Sequence, residues 1–400
     1  MPIFKWKGKN KYGDTVEGSR KASSSEELAR SLEREQITVS EVARKGPDLN
    51  IPFLQRKKVK LKDLSIYSRQ LSVLIDAELP LIQSLNILAE QTKNKYFKSV
   101  ILGIRSDVEA GSTLNQAKRK FPNVFNDLYC NLVASGEQSG SLDIMLRRLA
   151  EFQEKIVKLR SQVRQAMIYP SAIVSFAIIV VIFMLWKIIP VFANIYSELG
   201  ATLPGLTAFV LALSNFVQKY IVLVFLGIVA IIVGIRMYRK TEGGRKVTDT
   251  FLLRMPMFGP LLEKVGFSRV TRTLSTLLSG GVPMLESMKI TSSTSGNVII
   301  ENSIMQARSM VSEGSSVTDA LKSTGRFPFM LVQMVGVGEA TGTLDEMLSK
   351  LADFYDEEVD ASVSALLSVL EPILLIFVGG LVGVIIVSMY LPIFTLLGTL

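Results

Sequence analysis

At 400 residues the chain is long enough for two or more domains, and its 48% apolar content beside 20% charged residues exceeds what a soluble protein of this charge usually carries. It has no His and a single Cys, Cys130, which excludes His-based acid/base catalysis, Ser/His/Asp triads, Cys/His nucleophiles, an internal disulfide and nearly all zinc sites. A net charge of +9 suits nucleic acid, anionic lipid or membrane topology, and the placement of the charges decides among them.

Residues 1–43 read as a small cytoplasmic α/β unit. Ile3 to Lys7 and Thr15 to Glu17 form a hairpin around Lys11-Tyr12-Gly13-Asp14, Ser24 or Ser25 caps a helix from Glu26 to Glu35, and Thr38 to Val42 is a strand. The opening MPIFKWKGKNKYG lacks the apolar region of a signal peptide, so the N-terminus is expected in the cytoplasm. Residues 44–63 make a basic linker with Gly46-Pro47, Pro52, Arg56, Lys57, Lys58, Lys60 and Lys62, either solvated or resting on anionic lipid.

Helical spacing runs through 64–168 and again through 266–371, which are expected to be two cytoplasmic helical modules. In the first, Met145, Leu149, Phe152, Ile156, Leu159, Val163 and Met167 make one stripe; Leu348, Ala352, Tyr355, Val359, Leu366 and Leu370 make a looser one in the second. Such stripes must pack against the module's other helices or a second protomer. Cys130, among Leu128, Leu132 and Val133, reads as a buried structural thiol.

Three apolar runs are long enough to cross a bilayer: 169–192, 219–238 and the one opening 372–400, which ends in a periplasmic tail. The intervening 193–218 reads as a periplasmic loop and 239–265 as a cytoplasmic linker. The loop carries only Glu198 before Lys219, whereas Arg236, Arg239, Lys240, Arg245 and Lys246 follow the second run. The positive-inside rule then predicts an inner-membrane, multi-pass chain with its N-terminus in the cytoplasm and its C-terminus in the periplasm. The basic excess is topological, and no basic stripe interleaved with aromatics points to nucleic acid. Lys187, one turn from Pro190, is expected to reach the headgroups; as part of an ion path it would need a second charge in the spans.

The chain is a duplication, offset by 203 residues and later by 202. Leu71, Leu74, Pro80 and Ser84 recur as Leu274, Leu277, Pro283 and Ser287, and GEQSGSLD at Gly136 returns as GEATGTLD at Gly338. In each motif a helix is expected to end near Gly136 or Gly338, with Gly140 or Gly342 supplying positive φ and Ser141 with Asp143 opening the next helix. Glu137 and Glu339 exceed what a turn requires; they cap a helix N-terminus, meet a partner's Arg, or bind a divalent cation. Tyr169-Pro170 and Glu371-Pro372 mark the entries to the first and third spans, where a proline permits a bend.

These duplicated motifs, the paired Pro190-x-Phe192 and Pro392-x-Phe394 exits, and the segment VKLKDLSIYSRQLSVLIDAELPL resemble the platform family of type IV pilus assembly (PilC) and type II secretion (GspF), over nearly the whole chain. The resemblance implies an all-α polytopic membrane protein with two homologous cytoplasmic bundles, three transmembrane helices and no enzyme activity or cofactor. It implies coupling of hexameric motor ATPases to insertion or extraction of pilin or pseudopilin subunits, with other inner-membrane assembly proteins, lipid and further copies of itself as partners. Gly136, Glu137, Gly140, Gly338, Glu339 and Gly342 are the motif residues and candidate contacts. Where the family reads Ala-Gly-hydrophobic-Pro, this chain has Ala77-Glu78-Leu79-Pro80, and Gly281 is kept in the second copy. The absence of a G-x-x-x-x-G-K-[ST] loop leaves the motor role to a partner. The rival readings are a transporter or channel subunit, for which three nearly uncharged spans offer no substrate path, and a scaffold unrelated to pili.

Overall fold

The computed structural model describes residues 3–9, 15–22, 24–34, 36–44, 58–198 and 204–397. The turn expected at Lys11 to Asp14, the helix end at Glu35, and Gly46, Pro47, Pro52, Arg56 and Lys57 of the linker lie outside them, as do residues 398–400. The chain divides into two units, Met1–Lys57 and Lys58–Leu400.

In the first unit β1 (Ile3–Lys9) lies between β2 (Thr15–Lys21) and β3 (Thr38–Arg44), antiparallel to both. The two-residue period brings Phe4 and Trp6 to one face, where they pack with Leu28 and Leu32 of α1 (Ser25–Arg34). Ser24 caps that helix, its hydroxyl accepting from the Glu27 amide at 3.2 Å.

The second unit is helical among its described residues. Its first module comprises α2 (Leu61–Asp76), α3 (Leu81–Gln91), α4 (Lys95–Glu109), α5 (Leu114–Arg119), α6 (Asp127–Ser139) and α7 (Leu142–Ala166). Then come α8 (Ile168–Phe183), a π-helical turn Met184–Ile188, α9 (Ile189–Glu198), the kinked α10 (Gly205–Tyr238) and α11 (Glu242–Arg254). The second module repeats the first helix for helix: α12 (Gly259–Ser279), α13 (Met284–Thr294), α14 (Val298–Ser312), α15 (Val317–Ser323), α16 (Phe329–Thr341) and α17 (Leu344–Leu397). Matching Asn side chains start α4 and α14: Asn94 accepts from the Tyr96 and Phe97 amides, and Asn297 from that of Ile299. The cores also correspond, with Leu71, Leu85 and Ile101 in one and Leu274, Met288 and Ile304 in the other.

The long stripes find their partner within the chain. Met145 and Leu149 complete the first core, while Leu159 leaves that module to pack with Leu261, Val359 and Leu366 of the second. Lys155 pairs with Asp353, and Gln162 donates to Asp360, along the same seam.

Two helical stretches, Leu142–Tyr196 and Leu344–Phe394, are each long and apolar enough to cross a membrane. At 1.5 Å per residue the 54-residue α17 is about 80 Å long. It contains Pro372 and Pro392 without interruption, whereas at the first expected boundary α7 ends at Ala166 and α8 opens at Ile168 with Pro170 in its first turn. A first-turn proline withholds an amide that has no helical acceptor in any case. The stretch expected as a loop, 193–218, is largely helical: α9 reaches Glu198 and α10 begins at Gly205. Val210, Leu211 and Val217 of that stretch pack with Leu185 and Ile385, which is why it does not remain a loop.

Pro190 and Pro392 each leave a carbonyl without its amide, and α10 supplies a hydroxyl to both. Pro392 has no N–H for the Ser388 carbonyl, and Thr207 Oγ1 donates to it at 2.7 Å. In the π turn the Ile189 amide bonds to the Met184 carbonyl, and Pro190 has no N–H to offer, so Leu185 receives the Ser214 hydroxyl instead. Thr207 and Ser214, seven residues apart, lie two turns from each other on one face of α10.

Glu78 stands in the left-handed region at φ 60°, where its equivalent Gly281 has φ 76°. A left-handed residue with a Cβ costs about 1–2 kcal/mol, and glycine's extra freedom in the unfolded chain offsets about 0.5–1 kcal/mol of the gain from removing it. Glu78→Gly is therefore expected to stabilise the protein by about 0.5–1 kcal/mol in thermal unfolding of the detergent-solubilised chain, and Glu78→Val to destabilise it.

Candidate functional site

The repeated motif places one carboxylate on the N-terminus of a short helix in each module. The six-residue α5 has first-turn amides that find no carbonyl within the helix. Leu114 N donates to Glu137 Oε1 at 2.5 Å and Asn115 N to Oε2 at 3.1 Å; Gln116 N reaches Thr113 Oγ1 at 3.2 Å. In the second module Val317 N and Thr318 N donate to the two oxygens of Glu339 at 2.8 and 3.0 Å, and Thr318 Oγ1 adds a third bond at 2.6 Å. Burial pushes the Glu339 carboxyl up, but the Thr318 hydroxyl and the two amides outweigh it and hold the group below its ordinary value. Both glutamates are thus caps reaching across from the neighbouring helix. Among the described residues no three His, Cys, Asp or Glu side chains gather into a metal-binding group.

The glycines set the corner that delivers these carboxylates. Gly140 and Gly342 end α6 and α16 in the left-handed conformation, at φ 69° and 73°. Contrary to expectation the helices do not end near Gly136 and Gly338 but run to Ser139 and Thr341. Gly136 and Gly338 lie inside them because the following helix crosses there: a Cβ would meet the Leu142 Cα at 3.0 Å or the Leu344 Cα at 2.8 Å. Ser141 holds the cap position of α7 without a side-chain bond to it; its hydroxyl lies 2.6 Å from that of Ser139.

The same corner joins the modules. Ser135 Oγ donates to the Gly280 carbonyl and Arg148 to the Ser279 carbonyl, while Leu277, Val282 and Ile290 of the second module enter the first module's core. Farther down, Arg272 binds both Asp353 (2.8 Å) and Asp356 (2.7 Å). At the positions expected as membrane entries, Tyr169 and Glu371 are exposed, as is Pro372, whereas Pro170 is buried. Among the described residues no side-chain hydrogen bond joins these four to one another or to the two carboxylates: Tyr169 and Pro170 open α8, and Glu371 and Pro372 lie within α17. Lys187 lies over the Trp186 ring at 4.5 Å.

One group escaped the sequence reading. Lys118 is fully buried, with Nζ 3.2 Å from the Tyr129 hydroxyl and over the rings of Tyr129, Phe125 and Tyr67 at 4.5, 5.3 and 5.4 Å. Burial lowers its pKa to about 7. Ser68 donates to the same Tyr129 hydroxyl at 3.1 Å. The repeat could have exposed this cluster, since Lys118, Tyr67 and Tyr129 align with Leu321, Val270 and Leu331. Cys130, beside it, is a buried free thiol whose pKa burial raises.

Glu137→Ala and Glu339→Ala are each expected to lower stability by about 1 kcal/mol, the usual cost of a lost cap. The Glu339 contribution is present above the ordinary carboxylate pKa and disappears as pH falls through its lowered folded value, so the wild-type advantage over Glu339→Ala should vanish in acid unfolding experiments. Lys118 behaves oppositely. Its folded pKa of about 7 lies below the unfolded value of about 10.4, so the unfolded chain binds the extra proton and stability rises with pH across that window. Lys118→Leu, which installs the second module's residue, should raise the melting temperature at pH 6 and flatten the pH dependence between 7 and 10.

Comparison with known proteins agrees with this duplicated architecture. The family described as "Type II secretion system (T2SS), protein F" matches residues 67–190 and again 270–392, and its N-terminal domain matches residues 1–43. The chain is 42% identical over 400 residues to "Type IV pilus assembly protein PilC" of Myxococcus xanthus, covering 99% of this chain and 95% of the relative. It is 41% identical to the protein of the same name from Thermus thermophilus, covering 100% and 99% of the two chains. Identity to "Type II secretion system protein F" of Pseudomonas aeruginosa is 30%, covering 99% of each. With both halves and the N-terminal unit matched, the chain belongs to the type II secretion system protein F family.

Proposed function

We propose that the chain is the inner-membrane platform of a type IV pilus machine, coupling a cytoplasmic motor ATPase to the movement of pilin subunits at the membrane. The observation that carries this reading is that an apolar rod leads directly out of each duplicated module, in the second as the single helix α17, which runs from that module's core to Leu397 in one piece. A force on the module is then transmitted along about 80 Å of helix without a hinge. Greater identity to pilus assembly relatives than to a secretion relative favours the pilus over the pseudopilus.

In this reading three segments cross the membrane: α8 with the π turn, the apolar part of α10, and α17 beyond Pro372. Exposed Phe176, Ile179, Phe183, Leu375 and Ile376 on two of the rods suit lipid contact. Arg236, Arg239 and Lys240 at the end of α10 favour a cytoplasmic location for that end, which sets the N-terminus inside and the C-terminus outside. Units 1–43, 64–168 and 266–371 then lie in the cytoplasm, joined by the linkers 44–63 and 239–265. The hydroxyls of Thr207 and Ser214 tie the first part of α10, before its kink at Tyr220, to both other rods. The chain supplies no nucleotide chemistry; the ATPase provides the work, the modules receive it, and the spans deliver it to the pilin.

The outer surfaces of the corners near Glu137 and Glu339 are candidate motor contacts, since the caps leave Glu339 exposed. Affinity capture of the solubilised full chain from its own cells, tagged at the N-terminus, is expected to recover a motor ATPase together with pilin subunits. Recovery of neither, from protein correctly inserted in the membrane, overturns the platform reading, and pseudopilins in place of pilins would assign the chain to secretion.

A further inference from the structure

In the first module α2 and α7 run antiparallel, as two ion pairs record: Asp76 with Arg147, and Arg69 with Glu154 at 2.6 Å. Continued toward the apolar rod, that register sets Lys62 beside Ser161, and a groove of about 530 Å³ opens there between the two helices. Lys62, Lys158, Ser161 and Gln165 line it, over a floor that includes Ile66 and Val157. Ser161 is eight residues, about 12 Å of helix, from Tyr169, and the same register brings Lys60 and Lys58 closer still.

The second module shows the same groove with an occupant. Arg272 with Asp356 repeats the pair Arg69 with Glu154. The residues that align with Lys62, Val157 and Ser161 are Val265, Val359 and Val363, and Leu159 of α7 packs among them. In the first module lysine and serine stand where two of those valines are, so a second apolar helix does not suit it. The charge is reversed as well, since Lys60 and Lys158 align with Glu263 and Asp360. Lys58, Lys60, Lys62 and Lys158 are exposed, and none of them pairs with a carboxylate among the described residues. Glu154, the one acid lining the groove, is already met by Arg69. Lys158 also borders Glu357 and Asp360 of α17 without pairing with either. The groove is thus a cationic place whose counter-charge is missing from the chain.

We propose that this groove holds the headgroup phosphate of an acidic phospholipid from the leaflet that faces the modules, with Lys62 and Lys158 meeting its charge and Ser161 and Gln165 offering it hydrogen bonds. The proposal rests on the membrane reading above, in which Tyr169 opens the first span. The headgroup layer of a bilayer takes up about 5–7 Å of the 12 Å between Tyr169 and Ser161, and the apolar stems of the lysines span the remainder. Anionic lipid attracts such juxtamembrane lysines. The site belongs to one module alone: in the other the equivalent groove is filled by α7 and bordered by acids, so lipid holds the platform to the membrane surface on the first module's side.

Native mass spectrometry of the detergent-solubilised full chain, titrated with dioleoyl phosphatidylglycerol or dioleoyl phosphatidylcholine, tests the assignment. The wild type is expected to retain phosphatidylglycerol in preference. Lys62→Gln with Lys158→Gln should weaken that binding about thirty-fold, the effect of two lysines, while Lys62→Arg with Lys158→Arg keeps it. Arg236→Gln with Lys240→Gln removes as much charge from the other basic cluster of that membrane face and should leave the tightest site intact. An unchanged melting temperature of the double glutamine variant without added lipid shows that its fold is kept. Equal binding of the two lipids overturns the proposal, as does wild-type affinity in the double glutamine variant. Displacement of the lipid by equimolar inorganic phosphate also overturns it, making the ligand a free anion. Loss of motor capture in the double glutamine variant, with no lipid preference in the wild type, would give the groove to an acidic protein segment instead. Carbonate washing of membranes separates the two readings: a chain that washes out refutes both, whereas a chain that stays but shows no lipid preference refutes the lipid site alone.

Discussion

Most of the second unit depends on the seam where α7 lies against α12 and α17. Together with the corner contacts of Ser135 and Arg148 it unites the two modules, and it runs the two rods alongside each other. Its strength is apolar. Leu159, Leu261, Val359 and Leu366 are buried there, at about 1.5–3 kcal/mol for each fully buried side chain. The Lys155–Asp353 pair is half exposed on both sides, and a pair of that kind contributes about 0–1 kcal/mol. Arg272, nearly buried between Asp353 and Asp356, differs: removing either carboxylate weakens the compensation of a desolvated guanidinium. The polar network therefore determines which residues face each other, and the leucines hold them together.

The duplication makes each module a control for the other. Where both copies keep a device, the physical need is common: Glu137 and Glu339 satisfy amides that a helix of six or seven residues cannot, and Gly140 and Gly342 turn the chain where a Cβ would be strained. Where the copies differ, the difference is local. Lys118 with Tyr67 and Tyr129 builds a polar, aromatic core in the first module, and Leu321, Val270 and Leu331 build an apolar one in the second from the same helices. The fold accepts either because the aromatic rings and the Tyr129 hydroxyl give the ammonium a partner in the absence of water.

Much of this was legible in the sequence. The stripe from Met145 to Met167 predicts a long helix and a partner for it, and the repeat predicts that two modules share one plan; both follow from spacing alone. Three things were not legible. Helix ends at Gly136 and Gly338 look plausible until the crossing helix is in place, because a glycine required for close approach reads the same as one required for a turn. The helices at 189–198 and 205–218 have a proline at or beside their start and carry a single charge, Glu198, and only packing against Leu185 and Ile385 separates them from a loop. Lys118 escaped because a single lysine in a short amphipathic helix normally faces water, and its burial is a tertiary fact.

The prolines tie the rods to α10. In water a carbonyl released by proline bonds to solvent, but in hydrocarbon it remains unsatisfied at a cost of several kcal/mol. The carbonyls of Ser388 and Leu185 are both met by hydroxyls of α10, one in each rod. A helix without polar side chains could sit against the rods at many rotations; the hydroxyls of Thr207 and Ser214 fix the part of α10 before its kink at Tyr220 against both neighbours. Tyr196 strengthens the arrangement by donating to the Met389 carbonyl from the end of the first rod. The defects that proline introduces thus become the points at which three helices are held together.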